Sequence, residues 1–239
     1  MKIHDVEQGT EAWLTLRLGI PTASEFDNIM TPAGKPSASA RKYMARLIAE
    51  KLLNESMQSL DGLEWVERGK ELEPAAVRMF EFETGIKSRA VGFITSDDAR
   101  WGASPDRLLL DCTGLLEIKC PAPQTHMLYA IDGFGPAYKV QVQGQMLVAE
   151  ADRAIRYSYH PRMQPVTTDT PRDEPFIRTL RDLLTRFSDE MDEHVIRLRA
   201  SGFYDERAQI ATPVDAAYDR DADFERTIVS YGDALTLRA

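Results

Sequence analysis

Hydrophobic positions along the chain follow helical spacing in some segments and strand spacing in others. Apolar residues recur every three or four positions in 39–55, 64–84, 138–149 and 173–200, which predicts four helices. Short apolar runs between turn residues predict strands at 90–96, 100–111, 115–120, 154–160 and 164–170. Helices thus come first, a strand meander follows, and a helix, two strands and a long helix complete the order. This order predicts a mixed α/β or α+β domain with a central sheet flanked by helices.

The N-terminal part carries two further local signals. Thr22 and Glu25 fit a capping box at the start of a short helix. The segment 31–39 is rich in Pro, Gly and Ser and predicts a loop.

Composition narrows the class of protein. No apolar run approaches the roughly 20 residues of a membrane helix, and the first residues lack the apolar core of a signal peptide, so a cytoplasmic location is expected, in a bacterium or a phage-infected host. Two cysteines, Cys112 and Cys120, are too few for a disulfide framework or a four-cysteine metal centre. The net charge of -9 disfavours nucleic-acid binding unless basic residues gather on one surface.

The predicted strand 115–120 contains an acid and a base on one face. Glu117 and Lys119 are two positions apart, and a turn at 111–114 would place Asp106 beside Glu117. Two converging carboxylates suit Mg²⁺, which keeps several waters and accepts substrate phosphate as a further ligand. A lysine that orients a water would complete a site for metal-assisted phosphodiester hydrolysis. From spacing alone, a solvated Glu117–Lys119 ion pair is the commoner explanation.

Four blocks surround this group in a fixed order. They are "EQGTEAWLTLRLGIPTASE", "ERGKELEPAAVRMFEFETG", "SPD" with "EIKCP", and "AYKVQVQGQMLVAEADRAIRYSYHPRM". In combination they resemble the phage lambda exonuclease family, also called the YqaJ-type viral recombinase nucleases. The resemblance extends from about Val6 to Asp205, and implies a single exonuclease domain over 1–207 with a C-terminal extension at 208–239.

The resemblance implies a restriction-endonuclease-like core with a PD-(D/E)xK signature. Here that signature is Pro105-Asp106 followed by Glu117-Ile118-Lys119. The metal ligands implied are Asp106, Glu117, the backbone carbonyl of Ile118, and Glu73 on the preceding helix. Lys119 corresponds to the residue that positions the attacking water, and Gln141 to an active-site glutamine.

The same resemblance implies a DNA-binding surface. Arg17 and Ser24 correspond to residues that hold the 5′-phosphate of a DNA end, and Tyr138 lies one helical turn before Gln141. A helix N-terminus with a hydroxyl and a nearby arginine is also a suitable anion site on physical grounds. A further set of cations could line a DNA channel: Lys35, Arg41, Lys42 and Arg46.

The activity implied is a Mg²⁺-dependent 5′→3′ exonuclease that degrades linear double-stranded DNA and leaves 3′ single-stranded tails. Two Mg²⁺ ions per site are expected, with Mn²⁺ as a substitute. The family's ring-shaped homotrimer and a single-strand annealing partner protein are implied as well.

Other functions fit parts of the pattern. An endonuclease or a single-strand nuclease of the same fold would use the same carboxylates and lysine. A non-catalytic DNA-binding protein would keep the fold, but Glu73, Asp106, Glu117 and Lys119 together argue against it. An iron–sulfur nuclease would need four cysteines.

Overall fold

A computed structural model of the protein describes residues 1–57, 64–111 and 113–204. Within these ranges the helices are α1 Glu11–Arg17, α2 Ala40–Leu53, α3 Glu64–Thr84, α4 Pro123–Asp132, α5 Lys139–Val148 and α6 Glu174–Ala200, with 3₁₀ helices at Ala23–Asn28 and Pro136–Tyr138. The strands are β1 Lys2–His4, β2 Ser88–Ala90, β3 Phe93–Thr95, β4 Gly102–Ala103, β5 Arg107–Leu109, β6 Gly114–Lys119, β7 Arg153–Ser158 and β8 Val166–Pro171.

The main sheet has five strands in the order β2-β5-β6-β7-β8. The pair β6–β7 is parallel, and the other three pairs are antiparallel, so the sheet is mixed. In the β5–β6 hairpin Arg107 is paired with Leu116, which places Asp106 level with Glu117. The expected mixed sheet flanked by helices is therefore confirmed, and β6 lies at its centre. A smaller sheet has the order β1-β3-β4.

The two faces of the main sheet are covered by different helices. On one face Leu115 joins the larger core, to which α2, α5 and α6 contribute. On the other face Leu116 and Ile118 pack in a smaller core with Phe80 of α3 and Tyr157, whose rings are 5.3 Å apart. Because strand side chains alternate in direction, Glu117 and Lys119 share the face of Leu115.

Helix α5 is buried almost all round, as a helix in the interior of a layered domain must be. It approaches the 3₁₀ helix Ala23–Asn28 very closely at Gly144. A Cβ added to Gly144 would lie 2.5 Å from Cδ2 of the fully buried Phe26. Glycine at this position sets the distance between α5 and the N-terminal segment, and it stands between two buried glutamines, Gln143 and Gln145.

The structure corrects two local predictions. The predicted strand 100–111 is two strands, β4 and β5, which belong to different sheets and are separated by Pro105. Thr22 makes no side-chain cap hydrogen bond, so the predicted capping box is wrong, and Glu25 bonds Arg46 instead at 2.6 Å. Helix α3 continues through Pro74 although this residue cannot donate to the helix ladder.

The predicted extension 208–239 and the domain boundary at 207 lie outside the described residues. In the described part of the chain, none of the helices has the length and apolar character needed to cross a bilayer.

Candidate active site

The β5–β6 hairpin brings Asp106 against the strand that carries Glu117. Oδ2 of Asp106 accepts a hydrogen bond from the backbone N–H of Ile118 at 2.6 Å. Asp106 comes immediately before β5, and the β5–β6 register places it level with Glu117. Asp106 thus lies beside Glu117, as predicted from a turn at 111–114.

Glu117 is the centre of the hydrogen-bond network. Its side chain is buried, and Oε1 accepts from Nζ of Lys119 at 2.6 Å and from Nε2 of Gln141 at 2.8 Å. Oε2 accepts from Nε2 of Gln145 at 2.7 Å. Burying a carboxylate is costly unless donors compensate it, and here one ammonium and two amides supply the hydrogen bonds. The ion pair expected from the sequence therefore exists, with Glu117 buried and the Lys119 side chain partly exposed.

The charge of Glu117 makes ionisation of Asp106 less favourable. Burial and the charge of Glu117 raise the pKa of Asp106 well above its ordinary value, and Lys119 counters this only in part. Burial alone would lower the pKa of Lys119, but the negative charges of Glu117 and Asp106 outweigh it and raise that pKa. Lys119 is therefore a fixed ammonium, suited to donating hydrogen bonds rather than to removing a proton.

Glu73 reaches the same region from α3. Burial raises the pKa of Glu73, the positive charge of Arg107 lowers it, and the negative charge of Glu117 raises it. The net result is a raised pKa. The same negative charges act on the thiol of Cys120. Burial and the charges of Glu73 and Asp106 raise the pKa of Cys120 to about 11. Acidic groups from both faces of the sheet therefore converge near the end of β6.

The chemistry of these donors fits a divalent cation. Among the described residues no group of three or more His, Cys, Asp or Glu side chains is placed to hold a metal ion. The pair Asp106 and Glu117 nevertheless presents hard oxygens whose charge Lys119 only partly balances. Mg²⁺ needs few protein ligands, because it retains waters and takes phosphate oxygens from the substrate. Asp106 and Glu117 would hold it, with the Ile118 carbonyl and Glu73 as the further predicted ligands.

Tyr138 borders this group. Nζ of Lys119 lies 5.6 Å from the centre of the Tyr138 ring, and the Tyr138 hydroxyl is 2.9 Å from the hydroxyl of Tyr129. Tyr129 stacks on the buried Phe134 with ring centres 4.5 Å apart. Phe134 lies in the short connection between α4 and the 3₁₀ helix Pro136–Tyr138.

A second polar cluster is centred on Arg17. The guanidinium of Arg17 is 4.1 Å from the centre of the Trp13 ring, and it donates to Ser104 and to Thr22, both at 3.3 Å. The Thr22 hydroxyl is in turn 3.3 Å from that of the exposed Ser24. Burial lowers the pKa of Arg17 from its very high ordinary value, which leaves it a cation.

The Arg17 cluster and the carboxylates are joined through the short segment from Ser104 to Asp106. Ser104, a partner of Arg17, is two residues before Asp106 and also accepts from Nε1 of Trp13 at 3.0 Å. The side-chain amide of Gln8 donates to the carbonyl of Pro105 at 3.0 Å and to that of Val91 at 2.8 Å. The N-terminal segment therefore fixes the backbone from which Asp106 extends.

Sequence reasoning missed several of these residues. Gln145, Ser104 and Tyr129 were not among the predicted site residues, although Gln145 follows Gln141 by one helical turn and shares its face. Of the cations predicted to line a channel, Arg46 pairs with Glu25 at 2.6 Å and lies 3.9 Å from Glu50, so acids accompany its charge.

This arrangement defines the class of protein. A mixed sheet that carries Asp106 and Glu117 on adjacent strands, with helices on both faces, is a restriction-endonuclease-like fold. Residues 12–152 match the model of the YqaJ-like viral recombinase domain, and the chain belongs to this family.

Solved structures agree with the family assignment. An alkaline exonuclease, LHK-Exo, from Laribacter hongkongensis is 33% identical, with a TM-score of 0.72 over 80% of this chain and 97% of that one. The structure of LHK-Exo in complex with dAMP gives 34% identity over the same shares of the two chains. A phage-related exonuclease from Haemophilus somnus 129PT, 14% identical with a TM-score of 0.59 over 75% of this chain and 96% of that one, shares the fold. No curated protein sequence matches the chain.

Proposed function

We propose that the protein is a Mg²⁺-dependent 5′→3′ exonuclease that degrades linear double-stranded DNA and leaves 3′ single-stranded tails. One observation carries this proposal: Asp106, Glu117 and Lys119 form a single group in a chain that is 33% identical to an alkaline exonuclease. LHK-Exo has been crystallised with dAMP, and a deoxynucleoside monophosphate is what stepwise hydrolysis of a DNA strand releases.

The side chains have separate tasks in this reaction. When bound, a divalent ion supplies Lewis-acid stabilisation of charge on the phosphate and lowers the pKa of a coordinated water. Asp106 and Glu117 provide the carboxylate oxygens for it. Lys119, which its anionic neighbours keep protonated, donates hydrogen bonds that orient the attacking water and balance charge on the phosphate.

Arg17 and Ser24 would hold the terminal 5′-phosphate. Arg17 is already oriented by the Trp13 ring and by its hydrogen bonds to Ser104 and Thr22, so little side-chain entropy remains to be lost on binding. An anchored terminal phosphate would fix which phosphodiester bond reaches the carboxylates. Tyr138, beside Lys119, would contact the terminal nucleotides.

In the cell, we propose, the enzyme works in the cytoplasm as a ring-shaped homotrimer with a single-strand annealing protein as its recombination partner. A closed ring around its product cannot dissociate easily, which would make digestion processive.

The reaction is tested on linear duplex DNA with purified protein, with and without Mg²⁺. We expect duplex to be degraded only with Mg²⁺, and covalently closed circles to remain uncut. The activity of Lys119→Ala should fall by at least about 100-fold, because an electrostatic contact to the reacting phosphate is typically worth that much. Lys51→Ala is the matched control, since Lys51 pairs with Asp192 on the surface. Equal activity of the Lys119→Ala variant would refute the mechanism, and cut circles would indicate an endonuclease.

Polarity is tested with duplexes labelled at either end and carrying or lacking a 5′-phosphate. The 5′ label should disappear first, and the phosphorylated end should be preferred. Arg17→Lys should weaken that preference, because lysine cannot bridge Ser104 and Thr22 while stacking on Trp13. Earlier loss of the 3′ label would contradict the proposed direction.

A further inference from the structure

Gln145 contacts the proposed catalytic carboxylate at the oxygen that the other side chains leave. Its Nε2 donates to Oε2 of Glu117 at 2.7 Å, whereas Lys119 and Gln141 both donate to Oε1. Gln145 is 1% exposed, and its contact with Glu117 is fully buried. Helix α5 thus donates to both oxygens of this carboxylate, through Gln141 and Gln145, and Lys119 of β6 donates to Oε1 alone.

The environment of Gln145 would suit an apolar residue. Its neighbours in α5 are the buried Gly144, Met146 and Leu147, and burying an amide is unfavourable unless it is hydrogen-bonded. Of its polar atoms, Oε1 has no hydrogen-bond partner among the described residues, so the bond to Glu117 is what the amide contributes.

A second buried glutamine on the same helix shows the contrast. Gln143 is 2% exposed, and its amide donates to the carbonyl of Pro171 and accepts from the N–H of Asp173, both at 2.9 Å. Gln143 therefore joins α5 to the connection between β8 and α6. The two residues share type, burial and helix, but only Gln145 contacts Glu117.

We propose that Gln145 is a positioning residue that fixes the plane of the Glu117 carboxylate. The terminal torsion of a glutamate is broad, so a carboxylate held at one oxygen can rotate about its last bond. A donor on Oε2 opposite two donors on Oε1 removes that freedom and keeps one oxygen edge directed toward the reacting centre. This inference deepens the proposed nuclease function and rests on it.

The test replaces the donor without changing the size of the side chain greatly. Gln145→Met should lower kcat on linear duplex and the affinity for Mn²⁺, measured by electron paramagnetic resonance without DNA, each by about 10- to 100-fold, as partners of metal-binding side chains typically do. KM for DNA should stay unchanged, because the proposed DNA contacts are elsewhere. Gln143→Met, the matched control, should lower thermal stability and leave kcat and Mn²⁺ affinity as in the wild type.

A direct readout follows the carboxylate itself. In protein labelled with ¹³C at glutamate carboxyls, the Glu117 resonance is identified by its absence in Glu117→Gln. It should shift and broaden in Gln145→Met but not in Gln143→Met. Gln145→Asn, which keeps a polar amide but is too short to reach Oε2, should repeat the effect if the methionine variant folds poorly.

The outcomes separate this inference from the function on which it rests. Unchanged Glu117 resonance and Mn²⁺ affinity in both Gln145 variants would overturn the positioning role, as would an equal kinetic loss in Gln143→Met. A wild-type protein that neither binds Mn²⁺ nor degrades DNA would refute the proposed function, while the resonance of Glu117 would still decide whether Gln145 positions it.

Discussion

At the scale of single residues, the ionised Asp106 of the proposed active site lowers the stability of the fold. Asp106 lies beside the buried Glu117, and burial together with that charge raises the pKa of Asp106 well above its ordinary value. The folded protein therefore binds a proton at this position more tightly than the unfolded chain, in which the pKa is about 3.9. As the pH rises from that value through the folded pKa, the protein loses stability, and above it the ionised carboxyl destabilises the fold.

Replacing this carboxyl tests the trade-off. Asp106→Asn keeps an oxygen that accepts from the Ile118 N–H and removes the charge. We expect the free energy of unfolding to increase by about 0.5–2 kcal/mol near neutral pH. For a chain of this size, each kcal/mol raises Tm by ~2–4 °C. Nuclease activity should be lost. Chemical denaturation from pH 4 to pH 8 should show the difference between variant and wild type closing as the pH falls. A variant less stable than the wild type at pH 7 would contradict this account of Asp106.

At the scale of elements, apolar spacing predicted the helices whose apolar residues pack in the core. The predicted 39–55, 64–84, 138–149 and 173–200 correspond to α2, α3, α5 and α6. Helix α4 was not predicted because three of its large apolar residues face outward: Met127, Leu128 and Ile131 are 53%, 54% and 76% exposed. Helix α1 has seven residues and only one buried side chain, Trp13, which gives no periodic signal.

The site was predictable to the extent that it depends on local pairing. A hairpin of known turn position fixes Asp106 opposite Glu117, so the sequence suffices for that pair. Gln145 and Ser104 act through tertiary contacts with β6 and α1, and such contacts cannot be inferred from sequence position alone, even for Gln145, which shares a helix face with Gln141. The family resemblance supplied the rest of the predicted set, including Glu73 and Arg17, whose roles stay predictions.

The packing of α5 gives a test at this scale. Gly144→Ala gains roughly 0.5–1 kcal/mol of helix propensity, but its Cβ would meet Phe26, and overpacking a core costs about 1–3 kcal/mol. We expect a net loss of ~1 kcal/mol in urea denaturation, together with lower activity, because α5 carries the two glutamines that bond Glu117.

A second helical glycine provides the control for this change. A Cβ at Gly69 in α3 would meet no atom of the described residues within 4 Å, so Gly69→Ala should stabilise the protein by roughly 0.5–1 kcal/mol. In the double variant Phe26→Leu with Gly144→Ala, the two costs should be less than additive, because the smaller side chain makes room for the methyl group. Strict additivity would show that Phe26 does not oppose the methyl group.

At the scale of the whole molecule, charge is the main constraint on DNA binding. Asp and Glu number 38 against 29 Lys and Arg, a net charge of -9, so the average surface repels phosphates. Affinity for duplex DNA must come from a local group of cations, and each phosphate neutralised contributes about 0.9 to the slope of log K against log salt. A ring that gathers the cations of three copies around one duplex would multiply a contribution that is small in a single copy.

The proposed trimer is therefore expected to be the form that degrades long DNA. Sedimentation equilibrium at micromolar concentration should give three times the chain mass of 26.9 kDa. Digestion begun before an excess of unlabelled duplex is added should continue for many nucleotides, since an enclosed strand leaves only at its end. A monomer by sedimentation, with digestion that stops when the competitor is added, would remove the ring, whereas the carboxylate chemistry at Asp106 and Glu117 would be unaffected. If a monomer proved processive, the cause of processivity would be the anchoring of the 5′-phosphate by Arg17 and not enclosure in a ring. Arg17→Lys would then abolish processivity as well as the preference for phosphorylated ends.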